Sequence, residues 1–224
     1  YAFRLVETQQ TDLSLGTLFT GEFAGGAQAQ IFRVTVPTST PLRVVLNNGG
    51  AGNRTELYVA RGAPPTRGRF ELTSASRLGP DQDILMPLAT AGTLYLLVYA
   101  DEIPTPGSFT IQVSAAAVHL KAITPIRHAN NVGFPMTLAG AGFQPGAVVE
   151  LLDQGGRPVA AAASVSVDSF TQLTAGFAAH LAPPGVYSVR VSQPDGGVAL
   201  LPEAFTLAEP GEARLVTKLI MPGV

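Results

Sequence analysis

The sequence predicts an all-β protein made of two β-sandwich domains in tandem. Three observations carry the prediction. Apolar and polar residues alternate with period two along most of the 224-residue chain. Turn-forming clusters interrupt that alternation every 10–15 residues. No stretch sustains the 3.6-residue periodicity of a helix; the one helix-like run, AVVELLDQ at 147–154, is short, carries Val148 and Val149, and ends at a double glycine, so it reads as a strand entering a hairpin.

The elements follow in order. In the first half, strands are expected at 30–36, 42–48, 55–62, 70–76, 83–89, 93–100 and 108–115. In 30–36, Ile31, Arg33 and Thr35 oppose Phe32, Val34 and Val36. The stretch 114–125, rich in small residues and closed by Pro125, is expected to join two domains and lead into a new strand. Further strands are expected at 134–143, 147–153, 157–166, 170–177, 185–193 and 197–208. The turns DQGG (153–156) and PDGG (194–197) supply the glycine conformations that tight hairpins require. The expected division is 1–13 as a strand or linker inherited from a preceding module, 14–116 and 117–208 as the two sandwiches, and 209–224 as a linker to a following module.

Composition agrees. Apolar residues make up 46% and charged residues 13% of the chain, while 24 glycines and 18 prolines form close to a fifth of it. The formal net charge is −2, and neither half is polarised, so no basic surface for nucleic acid is indicated. Cysteine is absent, which excludes disulfides, thiolate metal sites and cysteine nucleophiles. No window has the length and apolarity of a membrane-inserted helix, and none is expected.

The stretch LAGAGFQPG (138–146) raises the possibility of a phosphate-cradling loop. A dinucleotide fingerprint needs G-x-G-x-x-G opening a helix. Gly140 and Gly142 fit, but Pro145 stands at the third glycine and a strand follows. These glycines are therefore expected to bend a strand, with Phe143 plugging the sandwich end.

Candidate chemistry is sparse. His119, His128 and His180 lie far apart and are expected on the surface or in turns. No nucleophile elbow or zinc-protease motif occurs, and no enzymatic activity is expected. No cofactor is expected, with calcium the one candidate ion. Asp81, Asp83, Asp101 and Glu102 offer the carboxylate oxygens calcium takes, although an Asp before a strand is ordinarily a turn residue bonding its own backbone. Arg61, Arg67 and Arg69, with Arg77 following, mark a loop whose guanidinium forks suit carboxylates, sulfates or phosphates; their ordinary role is to pair with Glu56 and Glu71. Tyr58, Tyr95, Tyr99 and Tyr187, and Phe32, Phe134, Phe143, Phe170, Phe177 and Phe205, are expected in the cores.

Two resemblances add to this. Leu57-Tyr58-Val59 followed by Gly62, Pro64 and Pro65, with Gly92, Thr93, Tyr95, Val98 and Tyr99 later, resembles a bacterial pre-peptidase C-terminal domain over 14–115, which implies a jelly-roll-like sandwich and includes calcium-binding relatives. Glu56 stands where that family often has Asp. Residues 119–208, opening on Ile123-Thr124-Pro125 and carrying Gly140, Gly142 and Phe143, resemble an IPT/TIG domain, which implies an Ig-like sandwich. Together they imply a non-catalytic structural or adhesive segment of a large extracellular or cell-surface bacterial protein, whose partners are neighbouring domains of the same polypeptide. Two alternatives stand beside it: a module recognising glycan or an extracellular matrix protein, and an accessory targeting domain of a secreted hydrolase.

Overall fold

The computed structural model describes residues 10–50, 52–75, 80–104 and 106–211, and among these every regular element is a strand. Residues 1–9 of the expected segment 1–13, residues 212–224 of the expected linker 209–224, and Arg77 lie outside the described residues.

The first sandwich has two sheets. One is ordered β1 (Gln10–Leu13), β3 (Gln28–Val36), β8 (Gly92–Glu102), β5 (Arg54–Arg61) and β6 (Leu72–Ser74). The other is ordered β2 (Leu18–Phe23), β9 (Gly107–Ala115), β4 (Thr40–Asn48) and β7 (Gln82–Ala89). Alternation delivers one residue in two to the space between them. Phe32, Val34, Leu57, Val59, Leu96 and Val98 from one sheet meet Val44, Leu46, Phe109 and Ile111 from the other, all essentially without solvent exposure. Each such large side chain contributes roughly 1.5–3 kcal/mol through burial. Phe23 stacks on Phe109 with centroids 4.6 Å apart, and Phe19 meets Phe32 edge-on at 5.1 Å.

The second sandwich repeats the plan. One sheet is ordered β10 (His119–Thr124), β12 (Phe134–Ala141), β16 (Gln172–Phe177) and β15 (Ser164–Ser169); the other is β11 (Arg127–Ala129), β18 (Val198–Ala208), β17 (Gly185–Ser192), β13 (Val148–Leu152) and β14 (Pro158–Ala161). Its core is separate from the first and holds Phe134, Met136, Leu138, Phe143, Val149, Leu151, Leu173, Val189, Val191 and Phe205. Phe134 stacks between Phe177 at 5.5 Å and Phe205 at 5.2 Å. The PDGG turn closes as expected: the Gln193 amide donates to the Gly197 carbonyl at 2.7 Å, and Gly196 takes φ +88°.

The structure departs from the sequence expectations in several places. Residues 10–13 do not stand apart from the first sandwich: β1 pairs in parallel with β3, and Leu13 enters the core. The single strand expected at 157–166 is two, β14 and β15, which belong to opposite sheets. The strand expected at 70–76 shrinks to Leu72–Ser74. The short strands β2 and β11 have no counterpart among the expected strands. Phe170, expected in the core, is 45% exposed because it sits in the turn joining β15 to β16. Tyr95 and Tyr99 are only partly buried, since they point away from the inter-sheet space. His119 is neither in a turn nor on the surface; it opens β10 and is 9% exposed.

Candidate functional site

Two places gather polar chemistry: the outer face of β5 and β8, and the seam between the sandwiches.

Along β5, Thr55, Leu57 and Val59 face the core, so Glu56, Tyr58 and Ala60 face outward. Register places Glu56 opposite Tyr99 and Ala60 opposite Tyr95 on β8. The loop 62–71 then folds back over this face. A short bridge between Thr66 and Arg69 tightens it, and Pro65 is buried. Arg67 grips both oxygens of Glu56 at 2.7 Å and reaches Asp101 at 3.1 Å, with its guanidinium 4.2 Å from the centroid of the Tyr99 ring. The Tyr58 hydroxyl donates to Glu56 at 2.7 Å. The Glu56 carboxylate, with the Tyr58 hydroxyl second, pushes the Arg67 pKa up. Burial first, and the Glu56 carboxylate second, pushes that of Tyr58 up. Arg67 is thus a clamp that holds the loop down.

The other two arginines of the loop have different fates. Arg61 pairs with Glu71 at 3.3 Å and bonds the Thr90 hydroxyl. The exposed side chain of Arg69 has no ion-pair partner among the described residues. It borders a cleft of about 220 Å³ lined by Arg61, Pro64, Arg69, Phe70 and Glu71. Phe70 is 41% exposed and leans on Tyr58 with centroids 5.1 Å apart. An exposed guanidinium beside a partly exposed aromatic ring is equipped to hold an anionic group on an apolar or pyranose body.

The four carboxylates expected to offer calcium are divided between two sheets. Asp83, on β7, is held bidentately by Arg43 at 3.0–3.1 Å. Asp81 accepts from the Asn48 amide at 2.9 Å. Asp101 pairs with Arg67 and, at 3.7 Å, with Arg54; Glu102 pairs with Arg54 at 2.5 Å. Among the described residues no group of three or more His, Asp or Glu is placed to hold a metal ion.

At the seam, only residues 116–118 separate β9 from β10. The Ala116 amide lies 3.4 Å from the Pro41 carbonyl of the first sandwich, and Val118 is buried in the second core. β12 lies beside β7, and β10 beside β4. Gly140 and Gly142 pack the end of β12 and the corner after it against the start of β10 and the connecting chain. A Cβ on Gly140 would sit 2.0 Å from the His119 carbonyl oxygen, and one on Gly142, where φ is +85°, would sit 1.9 Å from that of Ala117. Only glycine lets β12 approach β10, and the corner after β12 approach the connecting chain, so closely. The glycines of LAGAGFQPG therefore serve backbone packing, and Phe143 is buried beside them. The seam was not legible in advance, because nothing in sequence says what the small residues at 114–118 lie against.

No family model matches the chain, and no curated protein matches it. Among solved structures, the chain is similar to the pre-peptidase C-terminal domain of a collagenase from Bacillus anthracis, with 15% identity over 50% of this chain and 100% of that one, at a TM-score of 0.42. It is also similar to PliG of Aeromonas hydrophila, a periplasmic inhibitor of g-type lysozyme, with 14% identity over 48% of this chain and 100% of that one, at a TM-score of 0.34. A b-glucuronidase from Ruminococcus gnavus aligns over 85% of this chain and 36% of its own length, with 11% identity and a TM-score of 0.33.

Proposed function

We propose that the chain is a non-catalytic structural segment of a secreted or cell-surface bacterial protein, in which a jelly-roll-like sandwich and an IPT/TIG-type Ig-like sandwich act as one stiff spacer. The observation that carries this reading is the seam: a three-residue connection whose Ala116 amide lies 3.4 Å from the Pro41 carbonyl, with β12 and β10 of the second sandwich lying beside β7 and β4 of the first. A spacer gains from such a joint because each degree of freedom removed between modules fixes the position of whatever lies beyond. Small-angle scattering at neutral pH tests it. A maximum dimension and profile matching the rigid two-sandwich shape support the reading, and a profile requiring an ensemble of inter-sandwich angles overturns it.

A second reading, recognition of an acidic glycan on a matrix or cell surface, is favoured by the exposed Arg69, which has no ion-pair partner among the described residues, beside the partly exposed Phe70. An array of sulfated, uronic and neutral saccharides tests it. Saturable binding to acidic members, weakened by Arg69→Ala and Phe70→Ala but not by Lys121→Ala, supports recognition; no saturable binding sinks it. Under the third reading, an accessory domain of a secreted hydrolase, the same array is read for that enzyme's own polymeric substrate.

A further inference from the structure

His119 opens β10 in the second sandwich, yet every group that perturbs its ring belongs to the first. The Pro41 and Ser114 carbonyls and the Arg43 and Asp83 side chains lie around it. The residue is 9% exposed, and its Nε2 is buried without a hydrogen-bond partner among the described residues. The seam is thus closed over a neutral imidazole. We infer that it is an acid-sensitive latch: protonation of His119 loosens the contact between the two sandwiches and turns the stiff joint into a hinge.

The charges around the seam support this. From β4 the chain presents Arg43 and from β7 Asp83, and these two already satisfy each other in a bidentate pair. Strands β9 and β12 carry no titratable side chain. On β10 itself Lys121 is exposed, and on β18 Glu203 is exposed. A proton placed on His119 in the closed seam therefore meets a guanidinium and little water; the Pro41 and Ser114 carbonyls and the engaged Asp83 favour it, but burial outweighs them. When the seam opens, the ring is hydrated and takes the proton at its ordinary value near 6.5. Burial, the largest cause, and Arg43 lower the pKa of the closed form. The open form thus binds more protons, so closure is fully favoured above about pH 6.5 and weakens as pH falls below it. Gly140 holds β12 against His119, and Gly142 holds the next corner against Ala117, so His119 stays with the second sandwich and movement falls on its contact with Arg43 and Asp83.

The latch rests on the stiff-spacer reading and goes beyond it. The chain has no cysteine, so a label pair is easily placed. Thr20→Cys on β2 and Ser166→Cys on β15 put one exposed site on each sandwich. Distances between spin labels at these sites, measured by pulsed electron resonance on the full chain, are expected to give one narrow distribution at about pH 8 that broadens roughly twofold by about pH 5. His119→Gln, which stays neutral, is expected to remain narrow throughout. Arg43→Met, which removes the repelling charge, is expected to broaden less than the parent. A parent distribution that stays narrow to pH 5 overturns the latch and leaves the spacer standing, as does equal broadening in the parent and both variants. A distribution already broad at pH 8 overturns both.

Discussion

The two sandwiches are built alike inside and differently outside. Each closes two sheets over a separate core dominated by Phe, Leu and Val. Among the described residues, however, seven ion pairs decorate the first sandwich and one, Glu150 with Arg190, the second. On the second, Val148, Val186, Val198 and Leu200 stand on the outward face of β13, β17 and β18, each more than 40% exposed. The difference teaches that core alternation sets the fold, while the outer positions of the same strands are free to diverge. The first sandwich uses them to anchor a loop; the second leaves an apolar face around one ion pair.

The comparison breaks most readily at the cores. Phe109→Ala and Phe205→Ala, each fully buried, are expected to cost about 3–5 kcal/mol. If the cores are energetically separate, calorimetry will show each substitution lowering mainly one of two transitions; a single transition lowered by both would mean that the seam couples them. Gly142→Ala comes next, at about 3 kcal/mol, because the new methyl meets the Ala117 carbonyl and the backbone stays left-handed. Chemical denaturation should show the loss, and a Gly140→Ala or Gly142→Ala variant that melted like the parent would refute the close packing.

Smaller effects separate the surfaces. Glu56→Gln removes the partner of both Arg67 and Tyr58 and is expected to cost about 1 kcal/mol, discounted for the solvent around Arg67. It should also speed proteolysis within 62–71. Arg190→Met in the second sandwich, where no loop is tethered, is expected to cost up to about 1 kcal/mol without exposing any segment to protease. The smallest effect is alkaline. Burial, the first cause in both, raises the pKa of Tyr58 and of Tyr187, whose hydroxyl donates to the Pro183 carbonyl at 2.5 Å. The folded state therefore keeps protons that the unfolded chain sheds. The stability this gives is intact below about pH 10 and falls as pH rises beyond it. Denaturation midpoints across that range, compared with Tyr58→Phe and Tyr187→Phe, should show that each substitution removes part of the slope.

Much of the fold was legible because one face of most strands is buried, and burial writes period two into the sequence. Strands β3, β4, β5, β8 and β17 could be read that way. The signal failed where contrast vanished. Four alanines at 160–163 suit either sheet, which hid the crossing from β14 to β15. Arg127–Ala129 is too short to show any period. The loop arginines were visible as a group, but their division was not. Arg67 finds Glu56 eleven residues back and Asp101 thirty-four residues on, and only the folded sheet brings those acids under one guanidinium. His119 looked like any solitary histidine until the first sandwich closed over it.

Strand β11 lies parallel to β18, with Arg127 beside Thr206 and Ala129 beside Ala208. After entering through β10, the chain thus runs along a strand beside the one by which it leaves, in the same direction. Tension applied from the two ends would pull these strands in opposite directions along their own axes. Their hydrogen bonds would be loaded together, in shear, and not opened one after another. Resistance to stretching would then fall on this small ladder at the margin of the module, which is tied to the core because the His128 ring stacks 4.4 Å from Phe134 and Phe205 lies on β18 itself.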